Sequence, residues 1–195
     1  MIEAAGIEQT LAAVVAELVR NGQRFALVGG LAVSVRAEIR FTRDVDLAIA
    51  VSNDAEAEAL VYQLRGSGYR PIAVVEHDTQ GRLATARVLS TSGVKVDLLF
   101  ASSGIEPEIV ESAGMVALAA VGGELPIARA EELLAMKVLS MSDQRLQDRL
   151  DAQRLLACNP RLDLAVTRAH LELIRKRGFH RGQDLEQKLV SLLSG

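Results

Sequence analysis

The chain of 195 residues is 49% hydrophobic, has one cysteine and carries a formal charge of −3. A single cysteine excludes a disulfide framework and a CxxC zinc site, the negative charge argues against a protein that simply coats nucleic acid, and no apolar run reaches the roughly 18 residues of a bilayer-spanning helix. An acidic start where a secretory signal needs bases completes the expectation of a cytoplasmic protein with no membrane partner.

Leu11, Val14, Val15, Leu18 and Val19 have helical spacing and predict a helix over 8–19, stopped by Asn21-Gly22. The apolar run 25–28 ends on Gly29-Gly30 and reads as a buried strand, with a helix over 31–37 starting from the glycine turn. Residues 44–51 alternate as a strand. Residues 54–64 form a helix that Asn53 or Asp54 can cap, ended by Gly66-Ser67-Gly68. Strands follow over 71–76, 83–89 and 94–100, the last two joined at Thr91-Ser92-Gly93. A helix over 105–113 precedes two weaker strands, 115–121 and 125–127, around Gly122-Gly123. From Arg129 onward only helices are expected, at about 129–141, 144–157, 162–177 and 183–193, with breaks at Asn159-Pro160 and Gly178. The fold class is α+β: a small mixed sheet with flanking helices over 1–128, and a helical C-terminal region over 129–195 packed on it. Charge follows the same division. The first part has 10 basic and 16 acidic residues, the second 12 and 9.

One constellation points to chemistry. Gly29 and Gly30, between a strand and a helix, let backbone amides and a helix N-terminus approach a phosphate. Asp44 and Asp46 are two apart on a strand, so both carboxylates project from one face about 7 Å apart at Cα. Alone they would read as solvated acids on an edge strand; beside the glycine turn they suit a divalent cation that reverses their repulsion. Asp97 is a third acid in the apolar strand 94–100, where an ionised carboxylate requires a metal, a wet cleft or a partner such as Lys95 on the same face. Lys137 stands on the apolar stripe of its helix, where a lysine either snorkels to the edge or aims its ammonium into a cleft. Arg145, Asp148 and Asp151 recur every three residues, the pattern of a surface ion-pair ladder.

The segment Leu27-Val28-Gly29-Gly30, followed by Arg40-Phe41-Thr42-Arg43-Asp44-Val45-Asp46-Leu47, resembles the signature of the polymerase-β-type nucleotidyltransferase superfamily. The Arg-x-Thr-x-Asp-x-Asp wording is most similar to the AbiEii/MenT-like bacterial nucleotidyltransferases of toxin–antitoxin and phage-defence systems. Glu131 to Lys137, with Arg145 to Asp151, resembles the helical lysine and acid motif of that group, so the likeness spans roughly 25–156. It implies an Mg²⁺ or Mn²⁺ enzyme that moves a nucleoside monophosphate from NTP to an acceptor hydroxyl. Asp44, Asp46 and Asp97 would hold metal, and Gly29, Gly30, Thr42, Lys137 and Arg145 would bind nucleotide. Lys137 would also balance developing charge, and Asp97 or an acid of the tail, Asp148 or Asp151, would serve as base. Many relatives have Gly-Ser where this chain has Gly29-Gly30, so Ser34 is expected to supply the missing hydroxyl.

The implied acceptor is RNA, tRNA first, with an antitoxin protein as partner. The alternatives are an antibiotic of the aminoglycoside or lincosamide type, and a catalytically silent binding module. The basic cluster Arg175-Lys176-Arg177 with His180 and Arg181 reads either as helix-end charge or as an RNA contact, while 3% aromatics and no Trp disfavour extensive base stacking. His77, His170 and Cys158 stand isolated, and no Walker or GxGxxG motif is present.

Overall fold

The first strand runs straight into the second helix: β1 (Phe25–Val28) ends at the residue before α2 (Gly29–Arg36) begins. Everything else is arranged to hold that junction beside β2 (Asp44–Ile49). The computed structural model describes residues 2–78 and 80–194, with side chains from Gly6 onward. Met1 and Thr79, in the predicted core, and Gly195, in the predicted helical region, lie outside the described residues.

The remaining elements are α1 (Ile2–Arg20), α3 (Asp54–Gly66), β3 (Arg70–Glu76), β4 (Leu83–Leu89), β5 (Lys95–Leu99), α4 (Glu106–Ser112), β6 (Gly114–Leu118) and β7 (Gly123–Ile127). Four helices follow: α5 (Ala130–Ser140), α6 (Leu146–Cys158), α7 (Leu164–Lys176) and α8 (Leu185–Leu193). The strands form one mixed sheet in the order β3-β4-β5-β2-β1-β7-β6, with β1–β7 and β2–β5 parallel and the other pairs antiparallel. An α+β protein with a mixed sheet and flanking helices is what the composition and periodicity predict. The region read as strand 115–121 departs in detail: its last three residues, Ala119–Val121, form a 3-10 turn that brings β7 back antiparallel through Gly122 at φ +65°.

Alternation explains the central strands. Val45, Leu47 and Ile49 of β2 are fully buried, whereas Asp44 and Asp46 keep partial access on the opposite face. Asn53 caps α3 by accepting from the Glu56 amide at 3.0 Å, as its position ahead of an apolar run suggests. One apolar cluster runs from Leu11 and Leu18 of α1 through Leu27, Leu47 and Leu98 of the sheet to Leu133 and Leu134 of α5 and Leu189 of α8. Arg36 fastens α2 to the end of β7, donating to the carbonyls of Ile127 and Ala128 at 2.9 Å each. Among the described residues, no helix is long and apolar enough to cross a membrane.

Candidate active site

Register brings the acids together. The parallel pairing of β2 with β5 sets Asp46 directly beside Asp97, and the antiparallel pairing of β5 with β4 sets Arg87 beside Asp97. Arg87 grips both oxygens of Asp97, its Nε and Nη2 each donating at 2.6 Å. The partner of Asp97 is therefore this arginine of the next strand, and Lys95 stands exposed opposite Asp44. The bidentate bond to Asp97 also holds Arg87 more firmly protonated than a free arginine. Among the described residues, Asp46 has no such cation in contact. Burial, then the charge of Asp97, pushes its carboxyl up to about 6, against the weaker pull of Lys137 and of a hydrogen bond from the Gly30 amide.

This donor set fits a divalent cation through two carboxylates. Asp44 and Asp46 offer oxygens from one face of β2, and the repulsion within the cluster is what a cation would relieve. Asp97 has both oxygens committed to Arg87. Among the described residues, no group of three or more His, Cys, Asp or Glu is arranged to hold a metal.

The glycines are required by contact as much as by conformation. Gly29 has φ +64°, and a Cβ there would land on the Asp46 carboxylate. Gly29→Ala is expected to lower the melting temperature, the left-handed backbone alone costing about 1–2 kcal/mol, and to abolish binding of Mg–NTP by calorimetry. At Gly30 a Cβ would lie 2.6 Å from the Arg40 guanidinium and 2.7 Å from Thr42 Oγ1. The hydroxyl nearest the place of a serine at position 30 is thus that of Thr42. Ser34 is not brought into the cleft: its Oγ donates to the Gly30 carbonyl at 3.0 Å and accepts from the Arg40 amide at 3.3 Å.

The facing wall comes from α5 and α6. Lys137 is buried, with Nζ 2.7 Å from Asp148 Oδ1 and 2.8 Å from Asp151 Oδ2. Arg145 does pair with Asp148 at 3.0 Å, as a ladder would have it, but both acids turn inward and are buried. Asp151 also accepts from Arg40 at 2.9 Å and Gln147 at 2.8 Å, so the loop ahead of the Asp44–Asp46 pair is tied to α6. Burial opposes ionisation of Asp151, yet the Lys137 hydrogen bond and charge, with Gln147 and Arg40, hold its carboxyl below the ordinary range.

Between the walls lies a cleft of about 570 Å³, lined by Gly29, Gly30, Thr42, Asp44, Asp46, Asp97, Lys137, Arg145 and Asp148. Of the predicted site residues Ser34 and Asp151 are absent from it, Asp151 being fully buried behind Lys137. Arg87 and Arg181 line it unforeseen, and so does Arg40, which the motif contained without a role. Ser102 and Ser103 join them on a loop shaped by buried Glu106, whose carboxylate accepts from the amides of Ser102, Ser103 and Gly104 and from the Ser103 hydroxyl. The basic cluster at the end of α7 is largely neutralised: Arg175 and Lys176 pair with Glu172, and Arg177 pairs with Glu108.

The fold is similar to that of an antigenic nucleotidyltransferase-like protein from Paracoccidioides brasiliensis, at 19% identity and a TM-score of 0.51, covering 96% of this chain and 92% of the other. It is also similar to the antibiotic-resistance factor ANT(2'')-Ia, at 17% identity and a TM-score of 0.50, covering 88% and 94%. No curated protein sequence matches the chain. The profile described as nucleotidyl transferase AbiEii toxin, Type IV TA system, matches residues 11–194. That match takes in the glycine turn, the paired aspartates and the Lys137 helix together, and the chain is a nucleotidyltransferase belonging to the AbiEii family.

Proposed function

We propose that the chain moves a nucleoside monophosphate from an NTP to an acceptor hydroxyl with Mg²⁺, or Mn²⁺ in its place, on Asp44 and Asp46. Its acceptor in this reading is RNA, tRNA first, and its role that of the toxin in a toxin–antitoxin pair whose partner is an antitoxin protein. The observation that supports the chemistry best is the placement of the β2 carboxylate pair beside the glycine turn and across one cleft from Lys137. The family description, which names a toxin, supports the biological role.

The Gly29 amide and the positive end of α2 receive phosphate oxygens, with the Thr42 hydroxyl beside them, while the Gly30 amide is held by Asp46. A cation bound by Asp44 and Asp46 supplies charge neutralisation for the carboxylates and the phosphates together. Lys137, held in place by Asp148 and Asp151, and Arg145 stabilise negative charge gathering on the leaving group. The acceptor oxygen bonds to the α-phosphorus while the bond from that phosphorus to the β-phosphate bridging oxygen breaks, and pyrophosphate departs. The hydroxyl proton passes to Asp97 or Asp148, the carboxylates that border the cleft beyond the β2 pair.

One observation favours a second acceptor class. With Arg175, Lys176 and Arg177 paired to acids, the tail offers less free charge to an RNA backbone. An antibiotic acceptor is then the competing reading, the fold being shared with the antibiotic-resistance factor ANT(2'')-Ia. Incubation with each α-labelled NTP, Mg²⁺ and panels of cellular RNA, protein and antibiotics decides between them. RNA labelling at low salt, falling steeply as salt rises, is the expected result. Labelled antibiotic with unlabelled RNA establishes the second reading, and calorimetry that detects neither Mg²⁺ nor NTP binding establishes a silent module.

A further inference from the structure

A second cavity, of about 640 Å³, opens between the β3–β4 hairpin and the loop that joins α7 to α8. It meets the carboxylate cleft at Ser102 and Arg181, which border both. Its position matters because the attacking hydroxyl and the departing pyrophosphate lie on opposite sides of the reacting phosphorus. The glycine turn takes phosphates on the β1 side of Asp46. An acceptor therefore approaches across β5 and β4, the side on which this cavity lies.

The cavity has the chemistry of a nucleotide site. The His77 ring is fixed against Phe179, with centroids 4.4 Å apart, and His180 borders the same space. Imidazole faces stack on unpaired bases. Glu76 and Asp78 border the space with carboxylates able to accept from an exocyclic amine. Arg181 places a guanidinium at the passage into the catalytic cleft, with Arg145 further along that cleft, and guanidinium pairs with phosphate in a two-pronged fit. A polycationic acceptor would have to pass these like charges to reach the aspartates.

Arg181 carries a second, independent mark. Among the described residues it is the one non-glycine with positive φ, at +54°, and it precedes Gly182 at +68°. A glycine would adopt that backbone freely, whereas an arginine is strained in it. Its Nη2 donates to the Ser102 carbonyl at 3.1 Å, which aims the side chain along the border of the two cavities. A strained backbone held at the mouth of a cleft fits a requirement for the side chain rather than for the loop.

We infer that this cavity takes the terminal nucleotide of a single-stranded RNA acceptor, its base beside the two imidazoles and its phosphate on Arg181. The inference rests on the RNA reading of the acceptor. Arg181→Gly separates it from folding defects, because the substitution relaxes the backbone. The variant is expected to melt at or above the wild-type temperature and to bind Mg–NTP within twofold by calorimetry. Its KM for RNA in α-labelled NTP transfer should rise at least tenfold, and the slope of log affinity against log salt should fall by about one. An unchanged KM and salt slope would overturn the assignment of the cavity. Wild-type protein that labels no RNA would overturn the RNA reading, and the nucleotide occupant with it, before any variant is made.

Discussion

Asp46→Asn is expected to lower nucleotidyl transfer by roughly a thousandfold or more and, in the metal-free protein at neutral pH, to make the fold more stable. The loss follows from removing one of the two carboxylates proposed to hold the metal, an arrangement that would supply several kcal/mol of transition-state stabilisation. The gain follows from where the carboxyl sits. Burial and the neighbouring Asp97 raise it to about 6 from its ordinary 3.8. A raised acid contributes stability that is complete below about pH 4 and is lost as the pH climbs through about 6, at a total of up to about 3 kcal/mol. The wild type without metal should therefore soften between pH 4 and 7, and the asparagine variant should not. Melting curves over that range in chelator check it; parallel pH profiles for the two proteins would show that the carboxylate cluster is not under electrostatic strain.

The second large effect is expected at Lys137. Its ammonium serves two buried carboxylates, so Lys137→Met leaves Asp148 and Asp151 short of a partner. Breaking such a pair costs about 3–5 kcal/mol. Arg145 on Asp148 and Arg40 on Asp151 keep the loss toward the lower end. Transfer should fall together with stability. The double variant Lys137→Met, Asp148→Asn should recover part of the stability and none of the transfer, because it removes one of the two stranded charges without restoring a cation to the cleft. Recovery of transfer in the double variant would reduce Lys137 to a neutraliser of Asp148. The wild type should also lose stability in acid, since the depressed carboxyl of Asp151 stabilises the fold above its unfolded range and ceases to as it protonates.

What the sequence disclosed depended on how local each signal was. The glycine turn, the alternation that exposes Asp44 and Asp46, and the helical stripe around Lys137 are written in consecutive residues, and they occupy the cleft as expected. The partner of Asp97 was not legible. Arg87 reaches it through strand register, and nothing in the segment 83–89 distinguishes an arginine that faces an acid from one that faces water. For the same reason Asp148 and Asp151 read as a surface ladder: their inward turn depends on where α5 lies against α6. Ser34 illustrates the converse. It is expected to replace the hydroxyl that many relatives carry beside the glycine, but a helical serine four residues on finds the Gly30 carbonyl first. Arg181 was visible only as one of several basic residues, and its backbone strain is a property of three dimensions.

The place of β1 in the sheet also bears on how the molecule comes into being. Its antiparallel neighbour β2 follows it closely in the chain, but its parallel neighbour is β7, where Leu27 aligns with Ile127, a hundred residues on. Such remote pairing makes folding slow relative to chains with local contacts. During vectorial synthesis the aspartates and the phosphate turn emerge early, with one edge of β1 unpaired. Arg87 of β4 can reach them once the sheet has paired, but Lys137 joins only when α5 and α6 have left the ribosome and docked on α2 and on each other. A partly made chain therefore holds the acids without Lys137 or its two anchors, so the facing wall of the cleft arrives only with the last third of the polypeptide.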